Sequence, residues 1–144
     1  MPTQAVFYRD ADGRQPVLEY LDSALALKAR QHVIKQIKAM NGLADDFPPL
    51  AFPQTSQIEG PLRELRCHSG SALYRIFYRR SASLFVLLHI IRKEGRTVPR
   101  QDVELAQRRW REFKRRMDMP ERRGLGRREG THVDRSTCSF RYVR

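Results

Sequence analysis

Three consecutive segments of alternating side chains, joined by very short links, restrict the fold of this chain more than any other sequence feature. The segments are PLRELRCH (61–68), ALYRIFYRR (72–80) and SLFVLLHII (83–91). Their period of two and their many β-branched and aromatic residues predict three strands. The links around 69–71 and 80–82 are too short for a crossover, so the strands must be antiparallel neighbours in one sheet.

Apolar residues at helical spacing precede these strands. Residues 16–26 begin with Pro16, which suits the first turn of a helix, and carry apolar side chains three or four residues apart. A second helix with the same spacing ends at Asn41-Gly42, where glycine is a favourable C-terminal cap. We expect the two helices to form a hairpin.

The remaining segments complete a β-α-α-β-β-β-α order. AVFYRD (5–10) predicts an opening strand, whereas three prolines and the absence of a period make 45–57 a loop. Between Pro99 and Pro120, apolar residues at helical spacing predict a long amphipathic helix whose core side holds Trp110. The predicted fold class is therefore α+β, an antiparallel sheet with a helical hairpin on one face and a C-terminal helix, all helices lying against that face.

The length of 144 residues suits a single domain with one core. We place that domain at residues 1–118. Residues 119–144 show no hydrophobic period and abundant arginine and glycine, so we expect a disordered basic tail there.

The charge of the chain points to a polyanionic partner. Lys and Arg number 28 against 16 Asp and Glu, for a formal charge of +12 and a pI near 10.6. Half of the cations lie between Arg92 and Arg128. Nucleic acid is the commonest partner of such a protein. A membrane surface would require a helix with a bare apolar face, whereas these helices need their apolar faces for a core.

Several classes of protein are excluded by what the sequence lacks. The longest apolar run, Leu84 to Ile91, is too short to span a bilayer, and the first ten residues do not read as a signal peptide, so we expect a cytoplasmic protein. Cys67 and Cys138 have no partners at metal-ligand spacing and read as free thiols. We expect no metal and no other cofactor.

Alternation along the strands predicts which side chains share a face. In the middle strand Arg75 and Arg79 lie opposite Tyr74, Ile76 and Tyr78. In the last strand the alternation assigns a fully apolar set to the core side and His89 to the opposite side. That core-side set is Leu84, Val86, Leu88 and Ile90. We expect an open sheet face that carries Arg66, Arg75 and His89, with Arg92, Lys93 and Arg96 just beyond its end, and this arrangement would cradle a phosphate backbone.

Three motifs in order resemble the RelE/HigB superfamily of toxins from toxin–antitoxin systems, closest to its phage-derived subfamily. They are PVLEYLDS after the first strand, GPLRELR leading to YRIFY, and LLHIIRK followed by a proline and VELAQRR. The resemblance covers about residues 5–117 in the expected element order.

The resemblance implies a toxin that enters the ribosomal A site and cuts mRNA, held inactive by a cognate antitoxin that is often a small helix-turn-helix protein. Members of this superfamily cleave RNA without a metal, and the ribose 2′-OH attacks the adjacent phosphate in line. The protein must then move protons and stabilise the charge on the phosphorane.

Residue by residue, the resemblance implies that Arg75 contacts the scissile phosphate. It places Arg66, Lys93 and His89 at supporting catalytic positions. The other cations near the expected site are predicted to bind RNA phosphates. They are Arg92, Arg96, Arg79, Arg108 and Arg109. Two positions depart from the family pattern, since Glu94 stands where a second lysine is usual and Thr97-Val98-Pro99 replaces Lys-Thr-Pro.

Alternatives remain open at this point. His89 could be a structural histidine that bonds a neighbouring strand or helix end, and Arg75 could simply pair with Glu64 across the sheet. At the level of function, the same fold is compatible with a ParE-like gyrase poison that needs no catalytic residues. It is also compatible with a degenerate toxin that binds RNA without cutting it.

Overall fold

The computed structural model describes residues 4–41, 55–93 and 95–118, which form five strands and three helices. The elements in chain order are β1 (Gln4–Phe7), α1 (Pro16–Ala24), α2 (Leu27–Lys38), β2 (Thr55–Glu59), β3 (Leu62–Ser69), β4 (Ala72–Ser81), β5 (Leu84–Arg92) and α3 (Arg100–Asp118). The α+β fold class, the helical hairpin, the antiparallel meander β3-β4-β5 and the C-terminal helix are confirmed. The predicted disordered tail, 119–144, lies outside the described residues.

The five strands form one mixed sheet in the order β1-β5-β4-β3-β2. Strands β2 to β5 are antiparallel, whereas β1 pairs with β5 in parallel, with Val6 opposite Val86. The prediction of a purely antiparallel sheet was therefore wrong at this edge. Parallel neighbours need a long crossover, and the chain between β1 and β5 supplies one that includes α1 and α2.

Strand β2 was missed by the sequence prediction, which extended the loop to residue 57. It pairs with β3, with Thr55 opposite Leu65, and a tight turn at Gly60 joins the two. Gly60 has φ +53°, a left-handed conformation that glycine adopts without strain. The sequence TSQIE carries one apolar residue, so hydrophobic alternation gave no signal for an edge strand.

Helices cover both faces of the sheet, which corrects the prediction that they share one face. The hairpin α1–α2 buries Leu21 and Ile37 against one face, and α3 buries Trp110 and Phe113 against the other. The run Phe85–Leu88 in β5 is buried throughout. Such a continuous apolar run is typical of a strand that is covered on both faces.

A bulge in β5 changes which way its second half faces. Phe77 lies opposite His89 and Tyr78 lies opposite Leu87, so Leu88 is an extra residue in the ladder. His89 therefore faces α3, as Leu88 does, while Ile90 packs with the helical hairpin. The prediction that His89 faces away from Leu84, Val86 and Leu88, and that Ile90 shares their side, was wrong because simple alternation ignores the bulge.

Helix α3 bonds the sheet through Gln107 and Arg100, which contact β4 and β2, and through three further polar contacts. Tyr8 donates its hydroxyl hydrogen bond to Glu112 at 2.7 Å, and Arg109 Nη1 donates to the carbonyl of Leu88 at 2.8 Å. His89 and Asp102 form the third contact.

None of the helices in the described residues has the length and apolar character that a membrane span requires.

Candidate functional site

Arg75 lies in the middle of β4, opposite Arg66 on β3 and Ile91 on β5. Its side chain is only 4% exposed. Nη2 donates to the carbonyl oxygen of Arg96 at 3.3 Å, and Nε lies 3.5 Å from Oε1 of the buried Glu64. The cross-strand pair with Glu64, one of the alternatives for Arg75, is therefore present.

Glu64 connects the two arginines of the predicted site. Its Oε2 accepts hydrogen bonds from Ser56 Oγ at 2.8 Å and from Arg66 Nε at 3.1 Å. Within the described part of the chain, Glu64 Oε1 and Arg75 Nε are buried without a hydrogen-bond partner. A shared carboxylate orients both guanidinium groups and compensates part of their charge in a buried setting.

Two clefts meet at Arg75. The first, which we call the Arg66 cleft, has a volume of about 410 Å³ and is lined by residues that include Glu64, Arg66, Arg75 and Arg96. The second, the Lys93 cleft, has a volume of about 290 Å³ and is lined by residues that include Arg75, Arg92, Lys93 and Asp102. Arg75 and Thr97 line both clefts. The structure thus brings together five predicted site residues: Arg66, Arg75, Arg92, Lys93 and Arg96.

His89 adjoins this site but does not line either cleft. Its Nε2 lies 2.7 Å from Asp102 Oδ1, and its Nδ1 lies 3.4 Å from Nη1 of Arg109. Because a guanidinium only donates hydrogen bonds, Nδ1 accepts and Nε2 carries the proton toward Asp102. The structure agrees with the alternative in which His89 bonds a helix, and Asp102 is the member of the pair that lines the Lys93 cleft.

The other three predicted phosphate-binding residues lie away from these clefts. Arg79 and Arg108 line a third concavity, which we call the α3 groove, of about 820 Å³. Arg109 points inward at the carbonyl of Leu88, and burial lowers the pKa of its guanidinium. Spacing alone could not separate Arg108 from Arg109, because neighbouring positions on a helix point in different directions.

Two acidic residues belong to the site although neither was predicted as a member. Glu64 shares the alternation of Arg66 and was considered only as a partner of Arg75. Asp102 lies in the first turn of α3, where acidic residues commonly stabilise a helix start, so its sequence position gave no functional signal. The departure noted at Glu94 lies outside the described residues.

A comparison with models of known protein families identifies the family of this chain. The family model described as phage derived protein Gp49-like (DUF891) matches residues 21–111. The chain belongs to this Gp49-like family. Among curated proteins, no significant match was found.

The Gp49-like family is a RelE/HigB-type family of toxins from toxin–antitoxin systems, and such a toxin implies an antitoxin partner. The resemblance inferred from the three motifs is thereby confirmed at the level of this family. The matched range contains the predicted cations of both clefts and the start of α3 as far as Arg111. It excludes β1, the first five residues of α1 and the last seven residues of α3.

The described part of this Gp49-like toxin holds no candidate metal site with three or more His, Cys, Asp or Glu ligands. Metal-free chemistry remains a prediction.

His89 should lower the stability of the Gp49-like toxin in mild acid. Burial lowers the pKa of His89 in the folded protein, although Asp102 opposes that shift. The unfolded chain therefore takes up a proton there at a higher pH, so the free energy of unfolding should fall as the pH drops below about 6.5. Urea unfolding of wild type and His89→Gln at several pH values measures this contribution. An identical pH dependence in both proteins would contradict it.

Proposed function

We propose that this Gp49-like toxin inhibits translation by cutting mRNA on the ribosome without a metal, and that its cognate antitoxin is a small helix-turn-helix protein. The observation that carries the proposal is the position of Arg75, at the junction of two clefts lined by five further cations. An oriented guanidinium among other cations is suited to a phosphate that gains negative charge during the reaction.

The proposed reaction follows from the groups that line the clefts. The ribose 2′-OH attacks the adjacent phosphorus in line, the bond to the 5′ oxygen breaks, and a 2′,3′-cyclic phosphate forms. Arg75 and Arg66 stabilise the phosphorane, and Glu64 positions both. Asp102, oriented by its hydrogen bond with His89, accepts the proton of the 2′-OH, and Lys93 donates a proton to the leaving oxygen.

The experiment is a cleavage assay on a defined mRNA with and without 70S ribosomes. We expect cuts only when ribosomes are present, with a cyclic or 3′-phosphate at the new end, and growth arrest when the toxin is expressed without an antitoxin. Intact mRNA in arrested cells would reject the proposal. If double-strand breaks accumulated in those cells, the ParE-like alternative would replace it.

A second candidate function, RNA binding without cleavage, is favoured by the burial of Arg75. Its side chain is 4% exposed, and its guanidinium is engaged by Glu64 and the carbonyl of Arg96, so a phosphate reaches it only after these contacts loosen. A protein that had lost cleavage would still bind RNA through its exposed cations, with an affinity that falls steeply as salt rises. Salt-sensitive RNA binding with no cut product, with or without ribosomes, would identify this function.

A further inference from the structure

The α3 groove runs between α3 and the sheet and continues from the Arg66 cleft. Glu59 and Arg100 line both concavities and form an ion pair of 2.6 Å at the boundary between them. The groove is larger than either cleft at Arg75, with about 820 Å³ against about 410 and 290 Å³. A chain that leaves the Arg66 cleft past Arg100 therefore enters the α3 groove.

The α3 groove is positively charged once its internal pairs are considered. Four arginines and two glutamates line it, which leaves two net positive charges. Both carboxylates are engaged, since Glu59 accepts hydrogen bonds from Arg100 and from Gln107, and Glu104 lies 3.4 Å from Arg100. The exposed Arg108 and Arg111 have no ion-pair partner among the described residues. An anion in the groove would meet these two cations first.

The floor of the groove is pre-organised but offers no site for a base. Arg79 donates from Nη1 to Gln107 at 3.1 Å, and its guanidinium lies 4.3 Å from the ring centre of Trp110. Trp110 is 8% exposed, so its ring is not available for stacking with a nucleotide. A ligand in this groove would be held by its charges.

We infer that the α3 groove binds the phosphate backbone of single-stranded RNA. The nucleotides bound there lie on only one side, either 5′ or 3′, of the phosphate held at Arg75. The inference rests on the proposed function, which places an RNA strand at Arg75, and adds the direction in which that strand leaves. Arg108, Arg111 and the exposed Arg115 follow one face of α3, with rises of about 4.5 and 6 Å between them, and so offer cations along a strand. Because the described lining of the groove offers no pocket for a base, binding here should not depend on sequence.

An acidic protein segment is the competing occupant, and two observations favour RNA. The groove is continuous with the proposed cleavage site, where a strand must already lie. Its accessible lining is charged, whereas protein interfaces are usually centred on a desolvated apolar or aromatic anchor. Among the described residues of the lining, the one aromatic side chain, Trp110, is buried beneath Arg79.

The test measures binding of fluorescent RNA oligonucleotides that carry a 2′-deoxy nucleotide at the intended cut site. The variant is Arg108→Gln/Arg111→Gln, and the control is Lys28→Gln/Lys35→Gln, which removes the same charge from exposed positions of α2 across the sheet. For a long oligonucleotide, we expect the groove variant to reduce the slope of log Kd against log salt by about 1.4, since each phosphate contact with a single strand contributes about 0.7. The control should leave the slope nearly unchanged.

Oligonucleotides extended on only one side of the deoxy position locate the effect. The groove variant should weaken binding of one of the two extended oligonucleotides. Its affinity for a trinucleotide that contains the deoxy position should equal that of wild type. Equal losses in the groove and control variants, or equal losses for both extensions, would overturn the inference, because either would indicate a general charge effect. Cleavage in the ribosome assay is a separate measurement. Cleavage together with unchanged RNA binding by the groove variant rejects the groove alone, and one-sided binding without cleavage rejects the proposed function alone.

Discussion

Arg75→Gln should reduce ribosome-dependent mRNA cleavage by about 100- to 1,000-fold, the usual effect of removing one donor that stabilises transition-state charge. Glutamine keeps a hydrogen-bonding side chain but removes the positive charge at the junction of the two clefts. Arg75→Lys keeps the charge and loses the planar fork, so its activity should lie between those of wild type and Arg75→Gln. Single-turnover cleavage rates with ribosomes in excess measure both effects.

Two controls separate chemistry from folding in this experiment. Arg80→Gln changes the same residue type on the same strand, where the side chain contacts Phe85 and the carbonyl of Ala82, and it should cleave like wild type. Because Arg75→Gln leaves Glu64 with one arginine fewer, Glu64→Gln/Arg75→Gln should recover stability without recovering activity. Wild-type cleavage rates in Arg75→Gln would refute the role given to Arg75.

Phe113→Ala should lower the free energy of unfolding by about 3–5 kcal/mol, as truncation of buried aromatic side chains usually does. Phe113 is 2% exposed and packs against Trp110, with 5.6 Å between the ring centres, inside the apolar layer between α3 and the sheet. Alanine would leave a cavity that the sheet cannot close by a small movement. Urea unfolding followed by circular dichroism measures the change.

Leu27→Ala is the matched control for this stability experiment. Leu27 begins α2 and is 60% exposed, so its truncation should change the free energy of unfolding by no more than about 0.5 kcal/mol. If Phe113→Ala were as mild as Leu27→Ala, α3 would not be an integral layer of the domain. The α3 groove and the Asp102 position would then lose their structural basis.

Local regularities in the sequence were sufficient for most of the fold. Strands β3, β4 and β5 and helix α3 begin and end within about two residues of their predicted bounds, because their hydrophobic periods are long and consistent. Strand β2 was not predictable in this way, since it depends on pairing with β3 through backbone groups that every sequence possesses. The parallel contact of β1 with β5 likewise depends on packing of distant segments.

The candidate site likewise combines features that the sequence predicted with features that depend on tertiary contacts. Alternation placed Arg66 and Arg75 on one face, and the register, which the sequence did not predict, makes them direct partners. Alternation also placed His89 correctly on the face of Arg75, since its partner Phe77 lies two residues from Arg75. The position of His89 relative to Leu88 was predicted wrongly, because the bulge at Leu88 arises from pairing between β4 and β5 and leaves no sequence pattern. Asp102 and Arg109 reach His89 only because α3 lies against the second face of the sheet.

The sequence by itself determined the strongly basic character of the protein, the strand meander, the amphipathic helices and the resemblance to a toxin family. Composition is a sum over the chain and hydrophobic period is a property of neighbouring residues, so neither depends on which distant segments meet. Only the tertiary structure decided that Glu64 holds Arg66 and Arg75, that His89 faces α3, and that the α3 groove continues from the Arg66 cleft. These contacts join residues far apart in the chain, and their geometry is set by strand register and helix packing, which no local pattern encodes.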